Sequence, residues 1–170
     1  GESPHADQQD YPLMAADLAL LIESQDLRDC LLLGHSMGGK VAMQLALTRP
    51  ELVAKLLVVD IAPVEYAAAA DGHMNVFAGM KALDLANLAS RKEAESVIGE
   101  YVEDSATRKF VLTNLVRKAD GGYRWKINLP VLQRGYDKLR AAVDGEPFTK
   151  PTLFVKGDLS PYVQLKHQVE

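Results

Sequence analysis

The sequence predicts an α/β fold built on a parallel sheet, and three observations carry that prediction. Leu31-Leu32-Leu33 and Leu56-Leu57-Val58-Val59 are apolar runs too short and too uniform to show a helical face, so both read as buried strands. Each is preceded by an amphipathic helical stretch, the arrangement that gives parallel strands joined by right-handed crossovers. A third run, Thr152-Leu153-Phe154-Val155, repeats the strand signal near the end of the chain.

Composition sets the outer bounds. The chain has 170 residues with 48% hydrophobic content, enough for one domain with a real core, or for a domain with an insert. Net charge is −4 with Lys and Arg scattered, which gives no footprint for nucleic acid or for an acidic membrane surface. No run approaches the length of a membrane span. Cys30 is the lone cysteine, so an internal disulfide is excluded and the thiol reads as a small buried hydrophobe. The expected setting is cytoplasmic.

Residues 1–11 are polar and without period, an exposed loop. A helix starts near Pro12, a residue suited to the first turn, with Asp10 as its cap and Leu13, Ala16, Leu20 and Ile22 as its apolar stripe. The strand through Cys30–Leu33 follows. Val41, Ala42, Leu45 and Ala46 then recur at helical spacing until Arg49-Pro50 stops the pattern. The second strand ends sharply at Asp60. From about residue 66 to 117 the expectation is helix without an intervening strand, over 74–88, 90–102 and 105–116. Ser90-Arg91-Lys92-Glu93 has capping-box spacing. Ala119-Asp120-Gly121-Gly122 is turn chemistry, Tyr123–Ile127 alternates like a short strand, and 130–142 reads as one more helix. The layout is a core over 1–65 and 148–170, incomplete as a sheet, with a mainly helical insert over 66–147. The insert is either a plain helical extension or a lid. Its entry at the carboxyl end of a strand, where open parallel sheets bind ligands, favours the lid.

Between the first strand and its helix lies Gly34-His35-Ser36-Met37-Gly38, a G-x-S-x-G nucleophile elbow in strand–turn–helix context. So sharp a turn places Ser36 at positive φ, a costly state for a residue with a Cβ. A side chain at 34 or 38 is expected to collide with neighbouring backbone, hence glycine at both. The turn aims the hydroxyl at a helix start whose unpaired N–H groups attract negative charge. An ordinary glycine-rich βα turn is the plainer alternative. A serine nucleophile needs an imidazole to take its proton and a carboxylate to orient that imidazole. Met37, directly after the nucleophile, is the expected oxyanion donor.

Two carboxylates compete. Asp60 follows Leu-Leu-Val-Val, where an unpartnered charge is expensive to bury, although it also reads as a loop carboxylate capping nearby N–H groups. Asp158 lies in the loop after the third strand. The four histidines offer no clear base: His5 is in the polar loop, His73 at the entrance to the insert, His167 near the end, and His35 inside the elbow is a pocket-wall or packing residue. With Trp125 and Tyr162, His35 completes the candidate substrate pocket. Phe77, Met80, Tyr123 and Trp125 could line an acyl pocket under the lid, but residues of this kind are more often core of the insert.

Gly34-His-Ser-Met-Gly-Gly-Lys40, Val59-Asp-Ile-Ala-Pro-Val64, Ser160-Pro-Tyr-Val163 and the segment from Trp125 to Leu132 together resemble the α/β-hydrolase superfamily, and within it the YbfF-type acyl esterases and their mitochondrial relatives. The resemblance implies a partial α/β-hydrolase fold with a helical cap and a serine carboxylesterase or thioesterase acting on small-molecule acyl esters or acyl-CoA, without cofactor or metal. It points to Asp60 as the triad acid. The family order Ser…Asp…His sets the base roughly 20 residues beyond Glu170. The chain therefore reads as a fragment, lacking the upstream oxyanion loop as well, and is expected to be nearly inactive by itself. A non-catalytic binder of a small ligand, and a C–C bond hydrolase or lyase, are the rival readings on the same scaffold.

Overall fold

Asp10 opens the first helix by accepting the Leu13 N–H at 3.1 Å, and Pro12 sits in the first turn, where its missing N–H goes unnoticed. In the computed structural model, which describes residues 3–67 and 72–169, the chain divides into two units. The sheet unit spans Gln9–Tyr66 and Gly135–Glu170; the helical unit takes in Gly1–Gln8 and Ala67–Arg134.

In the sheet unit, helix α1 (Tyr11–Ser24) leads to strand β1 (Cys30–His35), helix α2 (Met37–Thr48) and strand β2 (Val53–Val59). Strand β5 (Thr152–Val155) completes a parallel sheet of order β1-β2-β5, in register Leu33↔Leu57, His35↔Val59 and Val59↔Val155. Helix α2 crosses from β1 to β2 and packs on both, while α1 packs on α2. Ala15, Ala19, Ala42, Leu45, Val53, Leu56 and Val58 form the core between them. Small side chains on α1 and α2 let the helix axes come close, and Leu45, Val53 and Val58 are shielded completely.

Two expectations for the strands fail. Leu31 and Leu33 are 64% and 57% exposed, because strand alternation turns them to the face opposite α2. All four residues of β5 are exposed too: it is an edge strand, and among the described residues no helix covers it. A run of leucines announces a strand; it does not say that both faces are covered. The buried face of α2 also takes in two polar residues the apolar pattern does not mark, Lys40 and Gln44.

The helical unit contains α3 (His73–Ala82), α4 (Arg91–Gly99), α5 (Ser105–Leu112), an antiparallel pair β3 (Leu115–Arg117) and β4 (Tyr123–Trp125), and α6 (Leu129–Arg134). Ser90 caps α4 by accepting the Glu93 N–H, and the Glu93 carboxylate returns to the Ala89 N–H at 2.8 Å. Ile98, Ala94, Leu115 and Trp125 lie in a core separate from that of the sheet. The expected helices are corrected at three places. Helix α3 stops at Ala82 because Asp84 takes the N–H groups of Ala86 and Asn87, an Asx turn that competes with helix. Residues 115–117 are a strand, not helix, paired with β4 across a turn in which Gly121 and Gly122 adopt φ of 97° and 69°. The helix expected over 130–142 breaks at Gly135 into α6 and α7 (Tyr136–Arg140), and α7 belongs to the sheet unit.

Leu45→Ala is expected to lower the unfolding free energy by about 2–5 kcal/mol, and loss of the Ser90 cap in Ser90→Ala by about 1 kcal/mol. Urea midpoints at unchanged slope check both.

Candidate active site

The handover from β1 to α2 is fixed by Gly34. A Cβ there would lie 2.2 Å from the Gly38 carbonyl oxygen and 2.7 Å from Gly39 Cα, contacts with backbone that nothing nearby can relieve. The second expected collision is not at Gly38, where an added Cβ meets nothing within 4 Å, but at Gly39, where it would meet Ile61 Cγ2 at 2.6 Å and Gly34 O at 3.1 Å. Among the described residues, steric contact does not account for the glycine at 38.

Squeezed between these glycines, Ser36 adopts φ 52° and ψ −124°. Such a conformation costs about 1–3 kcal/mol for a residue with a Cβ. Ser36 holds the N-cap position of α2, yet its side chain caps nothing; its carbonyl accepts from Gly39 N at 2.8 Å instead. A serine at this position ordinarily turns its hydroxyl onto the helix N–H groups. Here the backbone rotates it away, and among the described residues the hydroxyl has no hydrogen-bond partner. Met37 follows in the first turn, its side chain exposed and its N–H without a partner among the described residues. No acidic side chain occupies that turn, so the positive end of the helix is uncompensated.

Asp60 stands beside this turn. The Ser36 N–H donates to Val59 O at 2.9 Å and the Asp60 N–H to Val155 O at 2.7 Å, so each is the first residue past its strand. His35 pairs with Val59, the last pair of the β1–β2 ladder, so Ser36 and Asp60 each follow directly on one member of that pair. Asp60 also has a positive φ, 58°, and its Oδ1 accepts the Gly157 N–H at 3.2 Å. That bond ties the carboxylate to the loop after β5. No cation pairs with Asp60 among the described residues. Asp158, in the same loop, is exposed, and among the described residues no hydrogen bond holds its carboxylate.

The remaining candidates are scattered. His35 is exposed at the end of β1. His5 contacts Lys126 O at 2.8 Å within the helical unit, and His73 opens α3. His167 accepts the Gln164 N–H and stands edge-on to the Tyr66 ring. Trp125 lies in the core of the helical unit and donates its indole N–H to Met80 O at 3.3 Å. Tyr162 packs edge-on to Tyr66, whose hydroxyl donates to Tyr162 O at 2.6 Å and accepts the Ala62 N–H at 2.8 Å. Burial raises the Tyr66 pKa above the usual phenol value. Sequence reasoning did not single out Tyr66, although it joins the loop after Asp60 to the loop after β5. Among the described residues no three His, Cys, Asp or Glu side chains cluster as metal ligands, and no helix is long and apolar enough to cross a membrane.

Comparison with known proteins gives the same picture at the level of the chain. A family model described as alpha/beta hydrolase fold matches residues 1–170. A marine microorganism esterase of known structure superposes with a TM-score of 0.94 at 39% identity, over 99% of this chain and 67% of that one. The sn-1-specific diacylglycerol lipase ABHD11 of Mus musculus is 40% identical over 100% of this chain and 56% of its own length. Esterase YbfF of Escherichia coli (strain K12) is 31% identical over 99% of this chain and 62% of its own. The chain thus spans little more than half the length of the curated relatives it matches.

The two motif glycines are expected to part company on substitution. Gly34→Ala should cost several kcal/mol or abolish folding, because backbone must move, whereas Gly38→Ala should leave stability within about 1 kcal/mol of the parent. Thermal or urea unfolding of the pair checks this.

Proposed function

The chain belongs to the α/β-hydrolase fold family, and from that premise we propose that it supplies the nucleophile and the acid of a serine hydrolase cleaving carboxylic esters or thioesters. The reading rests on one observation above the others: a serine strained to positive φ, its hydroxyl withheld from the helix it caps, directly after a strand whose parallel partner is followed by Asp60. In this proposal Ser36 Oγ attacks the acyl carbon while a neighbouring imidazole takes its proton. The carbonyl oxygen, now anionic, is met by the Met37 N–H and by the field of the α2 terminus. As the C–O or C–S bond breaks, the imidazolium returns the proton to the departing alcohol or thiol, and water later releases the acid from the acyl-serine by the same steps.

Asp60 orients the imidazole and stabilises its charge, and the Gly157 N–H keeps the carboxylate in place. The open space over Gly38 leaves the approach to Ser36 clear of side chain. The unit inserted between β2 and β5 serves as the cap, and acyl esters or acyl-CoA are the substrate class; the relatives named as a diacylglycerol lipase and as esterases share that acyl chemistry. Neither cofactor nor metal takes part, and the reaction is assigned to the cytoplasm.

A fluorophosphonate should label the protein at Ser36 and nowhere else, with labelling absent from Ser36→Ala. Hydrolysis of p-nitrophenyl acyl esters by the protein that carries this chain should fall about 10⁴-fold in Ser36→Ala and by a similar factor in Asp60→Asn. Undiminished turnover in Ser36→Ala rules the proposal out; an unaffected Asp60→Asn would move the acid to Asp158.

A further inference from the structure

Lys40 is 1% exposed, and among the described residues no carboxylate forms an ion pair with it. Its ammonium donates to Val64 O at 2.7 Å, to Arg140 O at 3.2 Å and to Ala141 O, and it lies 4.9 Å from the centre of the Tyr66 ring and 5.3 Å from that of Tyr11. Three carbonyls match the three N–H donors of an ammonium. They come from two stretches of chain only. One, 63–66, is where the polypeptide leaves the sheet unit for the helical unit; the other, 139–143, is where it has returned. The same stretches are laced to each other: Tyr66 N–H to Arg140 O at 2.9 Å, Arg140 Nη1 to Tyr66 O at 2.6 Å, and Val143 N–H to Pro63 O at 3.0 Å. The Tyr11 hydroxyl adds Leu139 O.

We propose that Lys40 is a latch: one buried ammonium fastens both connections of the helical insertion to the helix that begins at Ser36. The inference stands apart from the catalytic reading, since it uses neither Ser36 nor Asp60 as a reacting group.

A latch of this kind is linked to protons. The groups facing Lys40 are Tyr11 from α1, Glu65 and Tyr66 from the outgoing connection, and Arg140, paired with Asp137, from the returning one; Tyr162 and His167 stand edge-on to Tyr66. Burial among neutral acceptors pulls the Lys40 pKa down to about 8, against a smaller upward pull from Glu65. Burial also pushes Tyr11 up to about 12 and raises Tyr66, so Lys40 titrates before either ring. In an opened neck the amine meets water and titrates near its ordinary value of about 10.4. The closed form therefore binds fewer protons between these values: the charge itself is a cost of closure, the neutral amine still donates N–H groups to the same carbonyls, and raising the pH through that window favours closure.

Amide hydrogen exchange of Tyr66 and Val143 reports on one connection each. With intrinsic base catalysis divided out, exchange at both should slow about tenfold between pH 7.5 and 9.5. The slowing should vanish in Lys40→Met, while Leu56, bonded to Pro151 O, and Ala94, bonded to Ser90 O, show no such change in either protein. No slowing in the parent, an equal slowing at Leu56 and Ala94, a response at only one connection, or persistence in Lys40→Met overturns the latch. Where Lys40→Met does not fold, the parent series alone decides. Loss of esterase activity is not the readout, so failure here leaves the Ser36 reading where it stood.

Discussion

The space that a Cβ on Gly34 would fill is already taken by the Gly38 carbonyl and Gly39 Cα, and the geometry of the sheet unit follows from that side chain being absent. Backbone can approach backbone this closely only where no Cβ intervenes, and that approach is what lets β1 pass into α2 without a loop. Removing the loop transfers the bend to Ser36, the only residue between strand and helix, which then takes up φ 52°. Strain at this residue is therefore a consequence of close packing beneath it. Gly39 extends the same contact to the core, lying against Ile61 and Val58, so the turn is braced from the side of β2 as well.

A second constraint operates one turn along the helix. Lys40 and Gln44 lie on the buried side of α2, and both reach acceptors in the returning chain, Arg140 and Ala141 for one and Asp144 for the other. Buried polar side chains are tolerated when each donor has a partner, and here the partners are main-chain carbonyls. The helix that starts at the strained serine is thus held by packing on its apolar face and by hydrogen bonds where the chain returns. Tyr66 adds a brace between Ala62 and Tyr162, the loops that follow Asp60 and β5.

What the sequence made legible is what local chemistry determines. The elbow, the Asp10 and Ser90 caps, the three parallel strands and the turn at Gly121-Gly122 all depend on residues within a few positions of one another. The positive φ of Ser36 and the position of Asp60 beside it followed from the motif and from the strand ending sharply at 60. The errors have a common physical origin. Whether Leu31, Leu33 and β5 are covered depends on what lies over the sheet, which periodicity does not encode. The burial of Lys40 depends on carbonyls up to a hundred residues away. The three-residue strand at Leu115–Arg117 is too short to show alternation, and Asp84 ended α3 by a side-chain bond that helix propensity does not reveal. Gly38 was misread because the motif names two glycines, while steric pressure falls on Gly34 and Gly39.

The lacing of 63–66 to 139–143 has an evolutionary consequence. Because Tyr66 and Arg140 exchange hydrogen bonds in both directions, the inserted polypeptide departs from and rejoins the sheet unit at adjacent points, like a loop drawn shut at its base. Ends that meet in this way let natural selection lengthen, shorten or exchange the intervening segment without disturbing strand order. The sheet unit could then accept a different insert while the turn at Ser36 stayed untouched.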